Sequence, residues 1–406
     1  MKILVLNAGS SSQKSRLYDI SAVPPTDPPA PLWAADADTT RGKGETDLKI
    51  TANDQAVTQQ VQSEEQPTVI EQMLKTLWSG KTQVIAGPQE IAVVGHRVVH
   101  GGPRYHESVR ITSEVKAEID HLASFAPLHN PANLAGIEAS ERFLGNVPQV
   151  AVFDTAFHSH LPPESAIYPG PYDWYEQGIR RYGFHGISHQ YCAQRSAEIV
   201  GRDLATLRIV NCHLGNGCSL AAIHNGQSIE TTMGFTPLDG LMMGSRSGSV
   251  DPSILIYLQR QHGYTPDRLE QMLNKEAGLK GVSGVSSDMR EVMQAAKEGN
   301  ERAGLALTIY AYRVRYFTGA LVAALGGVDV LTFTGGVGEN ASDLRAQVCQ
   351  ALGFLNLALD EQKNAARPVD QDIATPASRV RVLVVHTEED WQIARECWRL
   401  LRSAQV

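Results

Sequence analysis

The sequence predicts an α/β protein of two domains, and three observations carry that reading. Its 406 residues exceed what one ordinary hydrophobic core serves. Short apolar runs that read as strands alternate with longer runs of helical spacing. Two segments that begin about half a chain apart share one design. KILVLNAGSSSQKSRLYDI and LRIVNCHLGNGCSLAAIHNG each give an apolar strand, an Asn, a Gly/Ser-rich turn and an alternating strand. This pair points to two halves of similar construction, each offering a hairpin turn to something between them.

The elements follow in order. Residues 1–20 read as strand, tight turn and strand. Residues 23–46, rich in Pro, Ala and Asp, read as an exposed irregular connection. PTVIEQMLKTLWSG has helical apolar spacing and stops at Gly80. EIAVVGHRVVHGG and PQVAVFDTAFH each read as an apolar strand entering a polar loop. LRIVNCHLGNGCSLAAIHNGQSIETT reads as three strands joined by turns, the second turn at Asn225-Gly226. LALTIYAYRVRYFTGALVAALGG is the longest apolar stretch. Arg313 and Arg315 interrupt it, so it reads as a buried helix ending at Gly326-Gly327 rather than a membrane span. GVDVLTFTGGVGEN is a strand running into a glycine loop. VRVLVVHTEEDWQIARECWRLL closes the series as a strand and a helix with acidic residues at its positive end.

Composition excludes several classes. With 42% hydrophobic and 20% charged residues the chain has enough apolar surface to fold. A formal charge of −8 excludes a general nucleic-acid-binding surface, which needs a basic footprint. Five scattered cysteines without a C-x-x-C read as buried free thiols, which fits a reducing cytoplasm. The apolar run Ile3 to Leu6 is too short for a signal peptide.

The loops hold the chemistry. In open α/β sheets ligands sit beyond the carboxyl ends of strands, and Gly/Ser turns present backbone N–H groups to anions. NAGSSSQK can cradle phosphate in this way, adding Ser10, Ser12 and Lys14. GHRVVHGG carries His96, Arg97 and His100, RRYGFHGISH carries His185 and His189, and LMMGSRSGSVDP carries Arg246. A guanidinium in a Gly/Ser loop suits phosphoryl oxygens, and phosphoryl transfer needs such groups to spread developing charge. HTEED supplies Glu388, Glu389 and Asp390 as carboxylates for a magnesium ion or as plain helix capping. A competing reading takes Asp154, His158 and His160 in FDTAFHSH as ligands of a transition metal in a hydrolase.

These motifs, with APLHNPAN, CHLGNGCS, SGVSSDMR and FTGGVGENASDLR, resemble the acetate kinase (acetokinase) family in order and from Met1 to about Arg395. The resemblance implies two RNase H-like domains of the actin/Hsp70 type, with the active site in the cleft between them and closure over it. Residues 1–157 with 391–406 would form the acyl side, and residues 158–390 the nucleotide side. It implies reversible, direct in-line transfer of the γ-phosphoryl of ATP to acetate, giving acetyl phosphate and ADP. Mg²⁺ would assist, with Mn²⁺ as a substitute. It further implies a cytoplasmic homodimer with no membrane or nucleic-acid partner.

Residue by residue, Asn7 looks like the family's residue near magnesium and phosphate, beside Ser12 and Lys14. Arg97 and Arg246 look like the two clamps, His185 like the histidine on the transferring group, with His129 nearby. Asp154 resembles the essential acid, orienting rather than acting as a base, because acetate is already ionised (pKa about 4). His213, Gly215, Asn216 and Gly217 match the second phosphate loop. Asp288, Met289 and Arg290 match the segment beside the adenosine, and Gly336, Gly338 and Asn340 the nucleotide loop. Glu389 matches the magnesium-side glutamate through the shared Ile393-Ala394-Arg395. Val99, Leu128, Phe184 and Pro237 match the pocket for the methyl group.

The chain departs from the family at Gln13, Ser15 and Ser249, and in HTEED. Two rivals stay open at this stage. Propionate or butyrate is an alternative acid on the same fold, since one methylene discriminates by only ~1–3 kcal/mol. An Hsp70-like ATPase is a more remote alternative.

Overall fold

The computed structural model describes residues 1–8, 12–21, 23–38, 44–63, 65–126 and 129–403. The chain divides into two compact units, Met1–Ser159 with Glu388–Val406, and His160–Thr387. The sequence places these limits at 157 and 390. Glu388 goes with the last helix because its carbonyl accepts from Gln392 N and so starts that helix.

The first unit is built on an eight-stranded sheet in the order β5-β4-β3-β2-β1-β6-β8-β7. Its strands are β1 (Lys2–Ala8), β2 (Ser12–Asp19), β3 (Trp33–Asp38), β4 (Thr46–Ala52), β5 (Gln55–Val61), β6 (Ile91–Val98), β7 (Val109–Arg110) and β8 (Gln149–Phe153). β1 and β2 form an antiparallel hairpin with Asn7 opposite Lys14, while β6 and β8 add parallel to β1. Side chains alternate across the sheet. Leu4, Leu6 and Val94 enter a core closed by Ile70, Met73 and Leu74 of the helix Gln66–Lys75. The helix Glu389–Ser403 packs on β1, β2, β6 and β8. It approaches so closely that a Cβ at Gly95 would lie 2.5 Å from Cys397 Sγ and 2.7 Å from Ile393 Cγ2.

The second unit repeats the plan. Its strands are β9 (Arg208–Leu214), β10 (Cys218–His224), β11 (Gln227–Thr231), β12 (Val330–Thr334), β13 (Gln371–Asp372) and β14 (Arg381–Val384), in the order β11-β10-β9-β12-β14-β13. Again the first two strands make an antiparallel hairpin, and two later strands join the first in parallel. The central five of each sheet therefore share one order, β3-β2-β1-β6-β8 and β11-β10-β9-β12-β14. The half-chain similarity in sequence corresponds to this shared order.

Three expectations need correction. The connection 23–46 is not irregular throughout. Trp33–Asp38 forms β3, paired to β2 and β4, because its alternate residues Trp33, Ala35 and Ala37 are buried. The helix Glu301–Leu325, capped by Asn300 and closed by Gly326 at φ +65°, is only half buried, with Leu305, Tyr312 and Tyr316 exposed. The glycine run after β12 is a short helix, Gly335–Asn340, entered through Gly335 at φ +77°. A Cβ at Gly335 would meet the Leu214 carbonyl at 2.8 Å, so only glycine lets β12 turn there.

Candidate active site

In the first unit the expected residues gather at the carboxyl ends of β1, β6 and β8. Arg97, on β6, donates from Nε (3.1 Å) and Nη2 (2.5 Å) to Oδ2 of Asp154, and from Nη1 to the Ala8 carbonyl (2.9 Å). Asp154 is buried, and its own N–H is fixed on the Val98 carbonyl. Burial alone would weaken the hold of Arg97 on its proton. The carboxylates of Asp154, Glu389 and Asp390 outweigh this and raise it above its ordinary value. Asn7, at the end of β1, donates from Nδ2 to Asp390 Oδ1 at 2.7 Å, and Asp390 Oδ2 stands 3.6 Å from Arg16 Nε. Glu389 and Asp390 open the helix Glu389–Ser403. This brings oxygen donors of Asn7, Glu389 and Asp390 into one neighbourhood.

The loop after Arg97 is held by a motif whose role the sequence reading left at His129. Asn133 Oδ1 accepts from Val99 N at 3.1 Å, and Asn130 Oδ1 accepts from His100 N at 3.2 Å. Asn130 Nδ2 donates to the carbonyls of His100 and Ile119, both at 3.2 Å. The two asparagines of HNPAN thus act as backbone clasps, and His129 occupies the N-cap position of their helix, Asn130–Leu144, without a side-chain capping bond. Val99 is buried beside them. Leu128 and Ser10 lie outside the described residues, Ser12 opens β2, and Lys14 is exposed on β2.

In the second unit His185, Gly217 and Arg246 come together. A Cβ at Gly217 would lie 3.3 Å from Arg246 Nη2 and 3.5 Å from His185 Nε2, so a glycine here leaves both groups facing the β9–β10 turn. Arg246 is tied back by its Nη1 donating to the Pro237 carbonyl at 2.7 Å. Its loop is folded onto the turn, Gly244 N donating to the Asn216 carbonyl at 3.0 Å. Asn216 Oδ1 would lie only 2.0 Å from a Cβ at Gly244. His185 takes left-handed backbone, φ +57° and ψ 26°, at the start of the helix Gly186–Val200. This conformation is uncommon outside glycine, and histidine is among the residues that adopt it more readily. The His213 ring stacks on that of His185, centroids 4.3 Å apart, with Nδ1 held by Ser188 Oγ at 2.8 Å. Phe184 is buried next to His185.

Of the remaining expected residues, Met289 lines a cavity of about 280 Å³ together with Met293, Tyr310, Leu344 and Gln347 among others. Asp288 caps the helix Met289–Lys297 by accepting from Arg290 N at 2.8 Å, and hydrogen bonds from the Arg290 side chain hold its carboxyl below the usual range. Asn340 closes the helix Gly335–Asn340 by donating to the Gly336 carbonyl at 2.9 Å. Arg345, which sequence reasoning missed, is 1% exposed. It donates to the carbonyls of Gly338 (2.7 Å) and Glu339 (2.8 Å), and to Asn364 Oδ1 and O (both 2.8 Å). Its only signal in the sequence was its place in NASDLR, which looks like an ordinary helix face.

Asp154, His158 and His160 form no metal-ligand group, nor do any three His, Cys, Asp or Glu among the described residues. Among those residues no helix is long and apolar enough to cross a membrane.

A profile of the Acetokinase family matches residues 2–395. The chain is 60% identical over 404 residues to a protein of Cyanothece sp. called acetate kinase, covering 99% of each. Among solved structures it is similar to the acetate kinase of Porphyromonas gingivalis, with a TM-score of 0.90 and 43% identity, covering 98% of this chain and 99% of that one. It is also similar to a propionate kinase from Francisella tularensis, with a TM-score of 0.88 and 37% identity, covering 97% and 98%.

Proposed function

The chain belongs to the acetokinase family, and from that premise we infer that it transfers the terminal phosphoryl group of ATP to acetate, reversibly, giving acetyl phosphate and ADP. The fold is that of acetate kinases, two actin/Hsp70-type α/β halves. The observation that carries the mechanism is the pair of restrained arginines, Arg97 at the end of β6 and Arg246 in the Gly/Ser loop that precedes the helix Pro252–His262, each with part of its fork tied down. Arg97 is aligned by Asp154 and the Ala8 carbonyl, Arg246 by the Pro237 carbonyl.

In this reading a carboxylate oxygen of acetate attacks the γ-phosphorus as the bond to the β-phosphate oxygen of ADP breaks. Negative charge spreads over the equatorial oxygens. Arg97, Arg246 and His185 donate to those oxygens, and Asp154 keeps Arg97 in place rather than taking a proton. Val99, Leu128, Phe184 and Pro237 receive the methyl group. The first unit serves the acyl group and the second the nucleotide. Gly215, Asn216 and Gly217 hold phosphates beside His213, and the segments at Asp288–Arg290 and Gly336–Asn340 hold the nucleoside against the cavity.

Mg²⁺ fits the first unit. Asn7 and Glu389 supply hard oxygen donors, and Asp390 steadies Asn7. Magnesium is held by one or two carboxylates, water and substrate phosphates rather than by a full protein cage. When bound, it would neutralise charge on the β- and γ-phosphates.

Acetate is favoured over propionate because the 60% relative is called acetate kinase, whereas the propionate kinase is 37% identical. A homodimer is supported by the helix Pro252–His262. None of its residues is buried, and Ile254, Ile256 and Tyr257 are exposed. A cytoplasmic site is supported by five buried free thiols.

The test is a hydroxamate assay with ATP, Mg²⁺, hydroxylamine and acetate, propionate, butyrate or no acid. Hydroxamate formed fastest from acetate and lost without Mg²⁺ is expected. Acid-independent ADP release without hydroxamate would replace this reading with an ATPase.

A further inference from the structure

His189 sits one helical turn beyond His185 and has no place in the mechanism above. It is fully buried, and both its ring nitrogens are engaged. Nδ1 meets Asn211 Nδ2 at 2.8 Å, and Nε2 meets Ser219 Oγ at 2.8 Å. The same Ser219 hydroxyl meets His185 Nδ1 at 2.8 Å. Asn211 lies on β9, Ser219 on β10, and both are completely buried.

One atom fixes the direction of this chain. An amide Nδ2 can only donate, so His189 Nδ1 must accept. Neutral His189 then carries its proton on Nε2 and donates it to Ser219 Oγ. The serine has a single hydroxyl proton, which goes to His185 Nδ1. His185 is left protonated on Nε2, the nitrogen that faces Gly217 and Arg246.

We propose that Asn211, His189 and Ser219 are positioning residues that hold His185 as its Nε2–H tautomer, so that it presents a donor to the transferring phosphoryl group. The opposite tautomer would aim a lone pair at anionic oxygens. This inference rests on the phosphotransfer reading, but it makes a claim about ring protons that can be measured without turnover.

The experiment is two-bond ¹H–¹⁵N NMR of the full-length, histidine-labelled protein at neutral pH, with His185→Gln locating the His185 signals. The wild-type ring is expected to show a protonated Nε2 and an unprotonated Nδ1. The reverse pattern, or an even mixture, overturns the proposal whatever the variants do. Ser219→Ala should shift His185 to a mixed tautomer and lower kcat about tenfold, the scale of one misaimed charge-assisted hydrogen bond, with KM for both substrates within about twofold. Ser219→Thr should restore both readings. A kcat loss in Ser219→Ala with unchanged His185 nitrogen signals would mean a merely structural serine and would also overturn it. If wild-type protein gives no hydroxamate from any acid, the phosphotransfer reading fails while the tautomer result stands by itself.

Discussion

At the residue scale, catalysis depends on how little Arg97 is allowed to move. Three of its donors are already committed, two to Asp154 and one to Ala8. Arg97→Ala and Arg246→Ala should each lower kcat by roughly 10³-fold or more with an unchanged circular-dichroism spectrum. Near-normal turnover in both would sink the mechanism. A different residue governs acid tolerance. His96 is buried against Gln149, and desolvation pushes it down to about 4. Between that value and the unfolded value of about 6.5, the unfolded chain binds the extra proton. The stability of the neutral ring is thus complete above about pH 6.5 and is lost as pH falls through the folded value, for a total of roughly 3 kcal/mol. His96→Gln should flatten the fall in urea midpoint between pH 7 and 5. An unaltered slope would place the acid sensitivity elsewhere.

At the element scale, strand ends are useful only if their loops are fastened, and the fasteners come from far along the chain. Asn133→Ala removes the clasp on Val99 N and should raise KM for acetate several-fold, read by initial rates, with a smaller change in kcat. Arg345→Met leaves the Gly338 and Glu339 carbonyls and Asn364 without their buried donor. It should cost about 3 kcal/mol or more in chemical denaturation and raise KM for ATP. This explains what was legible beforehand. The hairpins β1–β2 and β9–β10 are local: apolar run, Asn, small residues, alternating strand. Arg97, His185 and Arg246 stand out because such groups among Gly and Ser have few structural uses, whereas the role of Asp154 is legible only through the family resemblance. The contact of Asn7 with Asp390 joins residues 383 apart in sequence, so no window contains it. Likewise β3 was missed because Ala and Asp fill a strand whose only strong apolar residue is Trp33, and the helix Gly335–Asn340 because glycines signal loops.

At the scale of the whole molecule, the helix Pro252–His262 stands out because none of its residues is buried although it carries large apolar side chains. Ile254 and Ile256 are each 48% exposed and Tyr257 58%. Apolar side chains grouped in this way mark an interaction surface more often than scattered ones do. Light scattering should give twice the chain mass, and Ile256→Asp should shift the protein toward monomer at micromolar concentration. A wild-type monomer would remove the dimer from the account. The five thiols report on the same wholeness. All are buried, with Cys192, Cys212 and Cys349 pushed up to about 12 and Cys218 to about 11. None should react with an alkylating reagent at neutral pH until denaturant is added.

The helix Glu389–Ser403 has a consequence for biosynthesis. It buries Trp391, Ile393 and Cys397 against a sheet whose first strand is made at the other end of the chain. A ribosome emits that sheet first, yet the sheet waits with one face bare until residue 403 has cleared the exit tunnel. By then His160–Thr387 has had everything it needs to fold. The order of maturation is therefore reversed relative to the order of synthesis, and the nascent first unit carries its apolar face uncovered for longer than the second.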